Sequence, residues 1–239
     1  MALEPDEVHV WRAPLGADGN VIERYERLLS PDERERAQRY VFQKHCRRFI
    51  VARAVLRVLL GRYLNQEPDR IRFAYGPEGK PSLAETSGGS VRFNLSHSEA
   101  LALYAFTRAR EVGIDLEWIN PRVGFEELAD RFFTPGEAST LRGLTEHARE
   151  PAFFACWTRK EAYMKAIGRG LSLPTQDFEV SLAPGEPAAL ISTRHDSEQA
   201  ARWSLLEVDA GPGFAAALAV EGRGWKVKCW QWPGLDVAD

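Results

Sequence analysis

Cysteine is scarce in this chain. Its 239 residues hold only Cys46, Cys156 and Cys229, an odd number with no C-x-x-C spacing. That excludes a disulfide framework, points to a reduced protein and leaves a cysteine zinc site without a ligand pattern. The five histidines (His9, His45, His97, His147, His195) form no H-x-x-x-H pair. No apolar run approaches the roughly 20 residues of a membrane span, so no membrane partner is expected. An excess of positive charge is also missing. Lys and Arg number 31 against 34 acids, and the net charge of −3 argues against whole-surface binding of nucleic acid. Walker A, G-x-G-x-x-G and G-x-S-x-G words are absent. The opening MALEPDEVHV is acidic, with neither a basic n-region nor an apolar h-region, so a cytoplasmic location is expected.

What is present is an ordinary globular composition, 44% apolar and 27% charged, long enough for one large domain or two small halves. The charge is unevenly spread. Between Arg34 and Arg62 stand nine Lys or Arg and a single acid, Glu35. Phe49, Ile50, Val55, Leu56, Leu59 and Leu60 interleave at helical spacing, which reads as an amphipathic helix with one basic face. Such a face is either solvated or set against an anionic ligand.

The chain also repeats itself. Ser30-Pro31-Asp32-Glu33 and Thr134-Pro135-Gly136-Glu137 are both capping boxes with proline at the first helical position. Helices follow each, ending in Gly61-Arg62-Tyr63-Leu64 and Gly168-Arg169-Gly170-Leu171. Each half then offers a strand, a Gly/Pro turn and two further strands, offset by about 104 to 110 residues on the repeat test. The expectation is a tandem duplication of class α+β. Two similar halves, 1–120 and 121–239, each pack a helix on a mainly antiparallel sheet, with the carboxylate strand closing the first half's sheet. A cleft between such halves is a preferred ligand site.

Three words carry chemistry. In Val112-Gly-Ile-Asp-Leu-Glu-Trp118, strand alternation puts Asp115 and Glu117 on one face and Ile114 and Leu116 on the other. Paired hard oxygens suit Mg²⁺, while a solvated strand face would look the same. In Trp157-Thr-Arg-Lys-Glu-Ala-Tyr-Met-Lys165, Trp157, Glu161 and Lys165 lie on one helical stripe. An ordinary Glu→Lys pair has that spacing, but Phe153, Phe154 and Trp157 would leave it partly buried, and a buried carboxylate needs a partner. Asn94-Leu-Ser-His97 reads as a turn after a strand, with Ser96 and His97 able to meet a phosphate; a structural histidine is the competing reading. Gly79-Lys80-Pro81 reads as a tight turn able to hold an anion or an adenine edge, or as a turn alone.

Taken in order, G-K-P, F-N-L-S-H-S, G-I-D-L-E, F-F-T-P-x-E, W-T-R-K-E-A-Y-x-K and G-x-G-L-S-L-P resemble the 4′-phosphopantetheinyl transferases. The likeness is to the double-length, single-chain type named after the surfactin synthetase activator (Sfp), and it runs from about Ser30 to Leu173. It implies a pseudo-dimer of two α+β halves. It also implies transfer of the phosphopantetheine arm of coenzyme A to a serine of an acyl or peptidyl carrier protein, releasing adenosine 3′,5′-bisphosphate. On this resemblance Asp115, Glu117 and Glu161 fall on Mg²⁺ positions, with Mn²⁺ an alternative. Glu161 falls on the general base and Lys165 on the lysine beside the pyrophosphate. Gly79, Lys80, Pro81, Ser96 and His97 fall on coenzyme A positions. Arg48, with Lys44 and Arg53, falls in the basic segment that meets its phosphates. Some members carry lysine where this chain has Glu33, with Arg36 one turn later.

The carriers could belong to fatty-acid, polyketide or nonribosomal-peptide synthesis, and a monomer is expected. Phe125, Leu128, Phe132 and Phe133 are either a carrier-docking surface or core. Two rivals stay open: a metal-dependent nuclease, and a non-catalytic module that binds coenzyme A or a carrier. The nuclease is disfavoured by the helical spacing of Glu161 and Lys165 and by the acidic net charge.

Overall fold

Apolar residues alternate along the strands and recur at helical spacing along two long helices, and this pattern sets four layers. The computed structural model describes residues 1–76, 78–84, 90–169 and 172–235. Gly170 and Leu171 of the second helix-ending word lie outside the described residues. The first part of the chain runs β1 (Glu7–Pro14), α1 (Gly19–Arg27), α2 (Pro31–Gln38), α3 (Gln43–Leu64), β2 (Phe73–Tyr75), β3 (Pro81–Leu83), β4 (Val91–Ser98) and β5 (Leu101–Arg108). Then follow β6 (Val112–Trp118), α4 (Phe125–Phe132), α5 (Pro135–Gly143), α6 (Glu146–Ala166), β7 (Phe178–Val180), β8 (Leu190–Thr193), α7 (Gln199–Arg202), β9 (Trp203–Glu207), β10 (Phe214–Glu221) and β11 (Lys226–Gln231).

Two sheets stack face to face. One has the order β11-β1-β5-β4, the other β6-β10-β9. Leu101, Leu103 and Ala105 of β5 join Ile114 and Leu116 of β6 and Leu218 and Val220 of β10 in the core between the sheets. The alternate residues Ala102, Tyr104 and Phe106 face outward onto α3 through Val51, Ala54 and Val55. On the far side, Ala217, Ala219 and Leu205 pack against Phe153, Ala162 and Ala166 of α6. All described pairings are antiparallel except β1 with β11. The architecture is thus α+β, with each sheet covered by its own helices.

The strand orders β1-β5-β4 and β6-β10-β9 are the same motif twice. Duplication extends to the buried charges. Glu33 accepts from Ser30 N at the start of α2 and binds Arg57 of α3, whose Nη1 donates to the carbonyls of Pro68 and Ile71. Glu137 accepts from Thr134 N at the start of α5 and pairs with Lys160 of α6, whose Nζ donates to the carbonyls of Thr175 and Phe178. In each half a capping-box glutamate holds a helix cation against the chain that leaves the helix.

Three expectations change. The carboxylate strand β6 does not close the first sheet; it pairs with β10, so by strand order the second repeat starts at Val112. The basic stretch is not one amphipathic helix. It breaks at Arg39–Phe42, where Val41 and Phe42 are exposed, and Arg53 and Arg57 are buried rather than set on a basic face. Asn94 to His97 lie inside β4, not in a turn.

Gly113 sets how closely β6 meets α6. A Cβ there would stand 2.1 Å from the Ala162 carbonyl oxygen and 2.4 Å from Ala166 N. These are backbone atoms, so relief requires moving the helix. Gly113→Ala is expected to cost about 3 kcal/mol, the upper end for overpacking, read as a lower denaturation midpoint in urea. An unchanged midpoint would show that α6 can shift freely.

Candidate functional site

The contact at Gly113 brings α6 over the outward face of β6, where alternation places Asp115 and Glu117. Glu161 and Lys165, one turn apart, come down onto the same place. Lys165 Nζ lies 2.6 Å from Asp115 Oδ1 and 3.0 Å from Ser96 Oγ. The Ser96 hydroxyl donates to the same Oδ1 at 3.0 Å. Asp115 Oδ2 is buried and has no hydrogen-bond partner among the described residues.

The other two carboxylates feel this crowding. Burial pushes the Glu161 carboxyl up, the Asp115 charge pushes it further, and Lys165 pulls it back only in part. Glu117 is raised by burial and by Asp115, against the Ser98 hydrogen bond and Lys165. Two carboxyls raised by burial and by the charge of a third, beside an orphaned buried oxygen, fit a hard divalent cation. Among the described residues no three acids or imidazoles form a ready-made metal cage. Mg²⁺ does not need one, because it takes one or two carboxylates and completes its shell with water and substrate phosphates.

Strand β4 carries the supports that sequence reasoning passed over. Asn94 Oδ1 accepts from Ile114 N at 2.8 Å. Ser98 Oγ accepts from Trp118 N and donates to Glu117 Oε2 at 3.2 Å. Asn94, Ser96 and Ser98 share one side of β4 and together hold β6, the edge strand of the other sheet. Their period-two spacing was the available signal.

His97 points the other way. Water reaches its ring, but the surrounding protein still strips away much of its solvation. That desolvation lowers its pKa first, and Lys165, Arg48 and Arg36 lower it further. Arg48 is held by Glu99 at 3.0 Å, and Lys44 is exposed at the start of α3. Arg53 stands apart from the expected phosphate contacts. Its Nε donates to Glu33 at 2.5 Å and its Nη2 donates to the Tyr75 hydroxyl, so its charge serves the buried clamp. Glu33 is part of the same clamp, paired with both Arg53 and Arg57.

Gly79 takes φ +74°, the left-handed turn that glycine permits. Beside it the Lys80 ammonium turns inward to the carbonyls of Ala166 (3.2 Å) and Val112 (3.4 Å), and burial lowers its pKa. The backbone of Gly79-Lys80-Pro81 is what this turn leaves for a ligand. Glu117 also lines a largely apolar pocket of about 300 Å³, with Trp118, Leu128, Phe153, Phe154 and Trp157 among its other walls. Phe133 is core, stacked on Phe153, and Phe132 packs edge-on against Trp157.

Comparison with known proteins follows the same division. Residues 111–219 match a family model described as the 4′-phosphopantetheinyl transferase superfamily. Residues 19–108 match one described as 4′-phosphopantetheinyl transferase, N-terminal. The two matches meet where strand order starts the second repeat. The chain is 42% identical to the 4′-phosphopantetheinyl transferase HetI of Nostoc sp., over 97% of this chain and 95% of that one. It is 30% identical to the 4′-phosphopantetheinyl transferase Sfp of Bacillus subtilis, over 86% and 88%. Among solved structures, a holo-(acyl-carrier-protein) synthase from Bacillus anthracis, in complex with CoA (3′,5′-ADP), is 27% identical with a TM-score of 0.38. That likeness covers 47% of this chain and 96% of that one.

Proposed function

This chain belongs to the 4′-phosphopantetheinyl transferase superfamily, Sfp type, and we propose that it converts apo carrier proteins to their holo forms with Mg²⁺ and coenzyme A. It is an enzyme of the class that moves phosphopantetheine from coenzyme A to a carrier protein. The finer reading is that a carrier serine Oγ attacks the β-phosphorus of coenzyme A. The phosphorus–oxygen bond to the bridging oxygen breaks, and adenosine 3′,5′-bisphosphate leaves. The observation that carries this reading is the meeting of Asp115, Glu117, Glu161 and Lys165 around one orphaned carboxylate oxygen.

Asp115, Glu117 and Glu161 would hold Mg²⁺ or Mn²⁺, which when bound neutralises charge on the phosphates. Glu161, with its raised pKa, takes the serine proton, directly or through water. Lys165 offers its ammonium to the pyrophosphate oxygens. His97, Arg48 and Lys44 anchor the phosphates of the nucleotide end, so binding energy far from the reaction positions the phosphorus for in-line attack. Ser96 and Ser98 keep the two strand carboxylates aimed. The duplicated fold supplies both walls of the cleft in one chain, so a monomer suffices. No helix among the described residues is long and apolar enough to cross a membrane.

The test is the intact mass of an apo carrier protein incubated with the enzyme, coenzyme A and Mg²⁺, with an EDTA control. The expected result is a gain of one phosphopantetheine, lost with EDTA. No gain across fatty-acid, polyketide and peptide carriers, despite coenzyme A binding, would move the assignment to a binding module.

A further inference from the structure

We propose that Lys165 fills the cation position of the carboxylate site in the substrate-free enzyme, so that divalent metal and coenzyme A pyrophosphate load cooperatively; this rests on the reaction proposed above. Asp115 has 4% of its side chain exposed, and its Oδ1 is already taken by both Lys165 Nζ and Ser96 Oγ. The ammonium supplies the neutralising charge that a buried carboxylate requires. It also favours the ionised forms of Glu117 and Glu161, opposing their burial. A positive charge is therefore already in place at the site, 2.6 Å from Asp115 Oδ1.

A divalent cation arriving at the orphaned Oδ2 would face that ammonium across the width of one carboxylate. Like charges this close repel strongly in a site shielded from bulk water. Moving Lys165 away relieves the repulsion but leaves an ammonium without its anion. A pyrophosphate resolves both demands, because it accepts the ammonium and offers oxygens to the metal. Lys165 can make the move. Its side chain is 28% exposed and it stands in the last turn of α6. Each ligand alone meets half of the requirement, which is the condition for positive coupling between them.

The experiment is a Mn²⁺ titration followed by electron paramagnetic resonance of the free ion, without carrier protein. It compares the wild-type enzyme, Lys165→Met and Lys165→Arg, each with and without coenzyme A. For the wild type, coenzyme A is expected to tighten Mn²⁺ binding at least about tenfold. Lys165→Met is expected to bind Mn²⁺ alone about tenfold tighter than wild type and to gain little from coenzyme A. Lys165→Arg keeps the charge and should bind Mn²⁺ alone as weakly as wild type. Equal affinity of wild type and Lys165→Met without coenzyme A overturns the proposal, as does no Mn²⁺ binding under any condition. If Lys165→Met does not fold, the absence of coenzyme A coupling in wild type is sufficient to overturn it. The carrier mass assay reads the reaction separately. Transfer without coupling sinks the cation exchange and leaves the reaction standing, and coupling without transfer does the reverse.

Discussion

Glu161→Gln is expected to lower carrier modification by about 10²–10⁴-fold, the range for loss of a positioned general base, while the protein stays folded. The stability half follows from the same residues as the activity half. Burial and the Asp115 charge both oppose ionisation of Glu161, and only Lys165 favours it. A neutral amide of the same shape removes a repulsion, so the thermal midpoint should hold or rise slightly. Asp115→Ala should abolish transfer as well, but by a different route. It deletes the orphaned oxygen and leaves Lys165 and Ser96 without their shared partner. The measurement is the initial rate of mass gain on an apo carrier with saturating Mg²⁺, beside a melting curve for each variant. A near-wild-type rate for either variant would remove that carboxylate from the reaction.

Much of this site was legible because its residues sit in short words with fixed spacing. Asp115 and Glu117 share a strand face, and Glu161 and Lys165 share a helix stripe, whatever the rest of the chain does. The duplication was legible in the capping boxes, since a helix start is a local event. What escaped is non-local. Alternation says which face of β6 carries the acids but not which strand it pairs with, and its partner β10 lies about a hundred residues away. The polar run at Asn94 to His97 looked like a turn because serine, asparagine and histidine suit turns. In the fold side chains on β4 replace the backbone ladder that β4 and β6 do not make, through Asn94 to Ile114 N and Ser98 to Trp118 N. The basic stretch misled for a related reason. A count of cations between Arg34 and Arg62 cannot reveal that Glu33, one residue outside the window, neutralises two of them inside the core.

That ion cluster gives the largest expected loss of stability. Glu33 is 1% exposed and faces the guanidinium groups of Arg53 and Arg57, both nearly as buried. Glu33→Gln keeps the shape and the capping contact but leaves two buried cations with no opposite charge. Breaking a buried pair in this way costs about 3–5 kcal/mol, far more than a surface change of about 0.5 kcal/mol. The pH dependence separates charge from packing. Burial pushes the Glu33 carboxyl up, yet the Arg57 hydrogen bond and the charges of Arg53 and Arg57 outweigh it, and its pKa ends below the ordinary 4.5. A carboxyl lowered on folding adds stability that is fully present above the unfolded value and is lost as pH falls through the folded value. Wild-type stability should therefore drop on acidification below 4.5, and Glu33→Gln, already lower at neutral pH, should lose less over the same interval. Urea unfolding at a series of pH values measures both effects. A loss under about 1 kcal/mol, with an acid limb parallel to that of wild type, would reduce the cluster to packing. The second repeat offers an internal control. Glu137 holds Lys160 at 2.9 Å in the equivalent position, and Glu137→Gln strands one buried cation instead of two. If charge sets the cost, the variant in the second half is the milder of the pair.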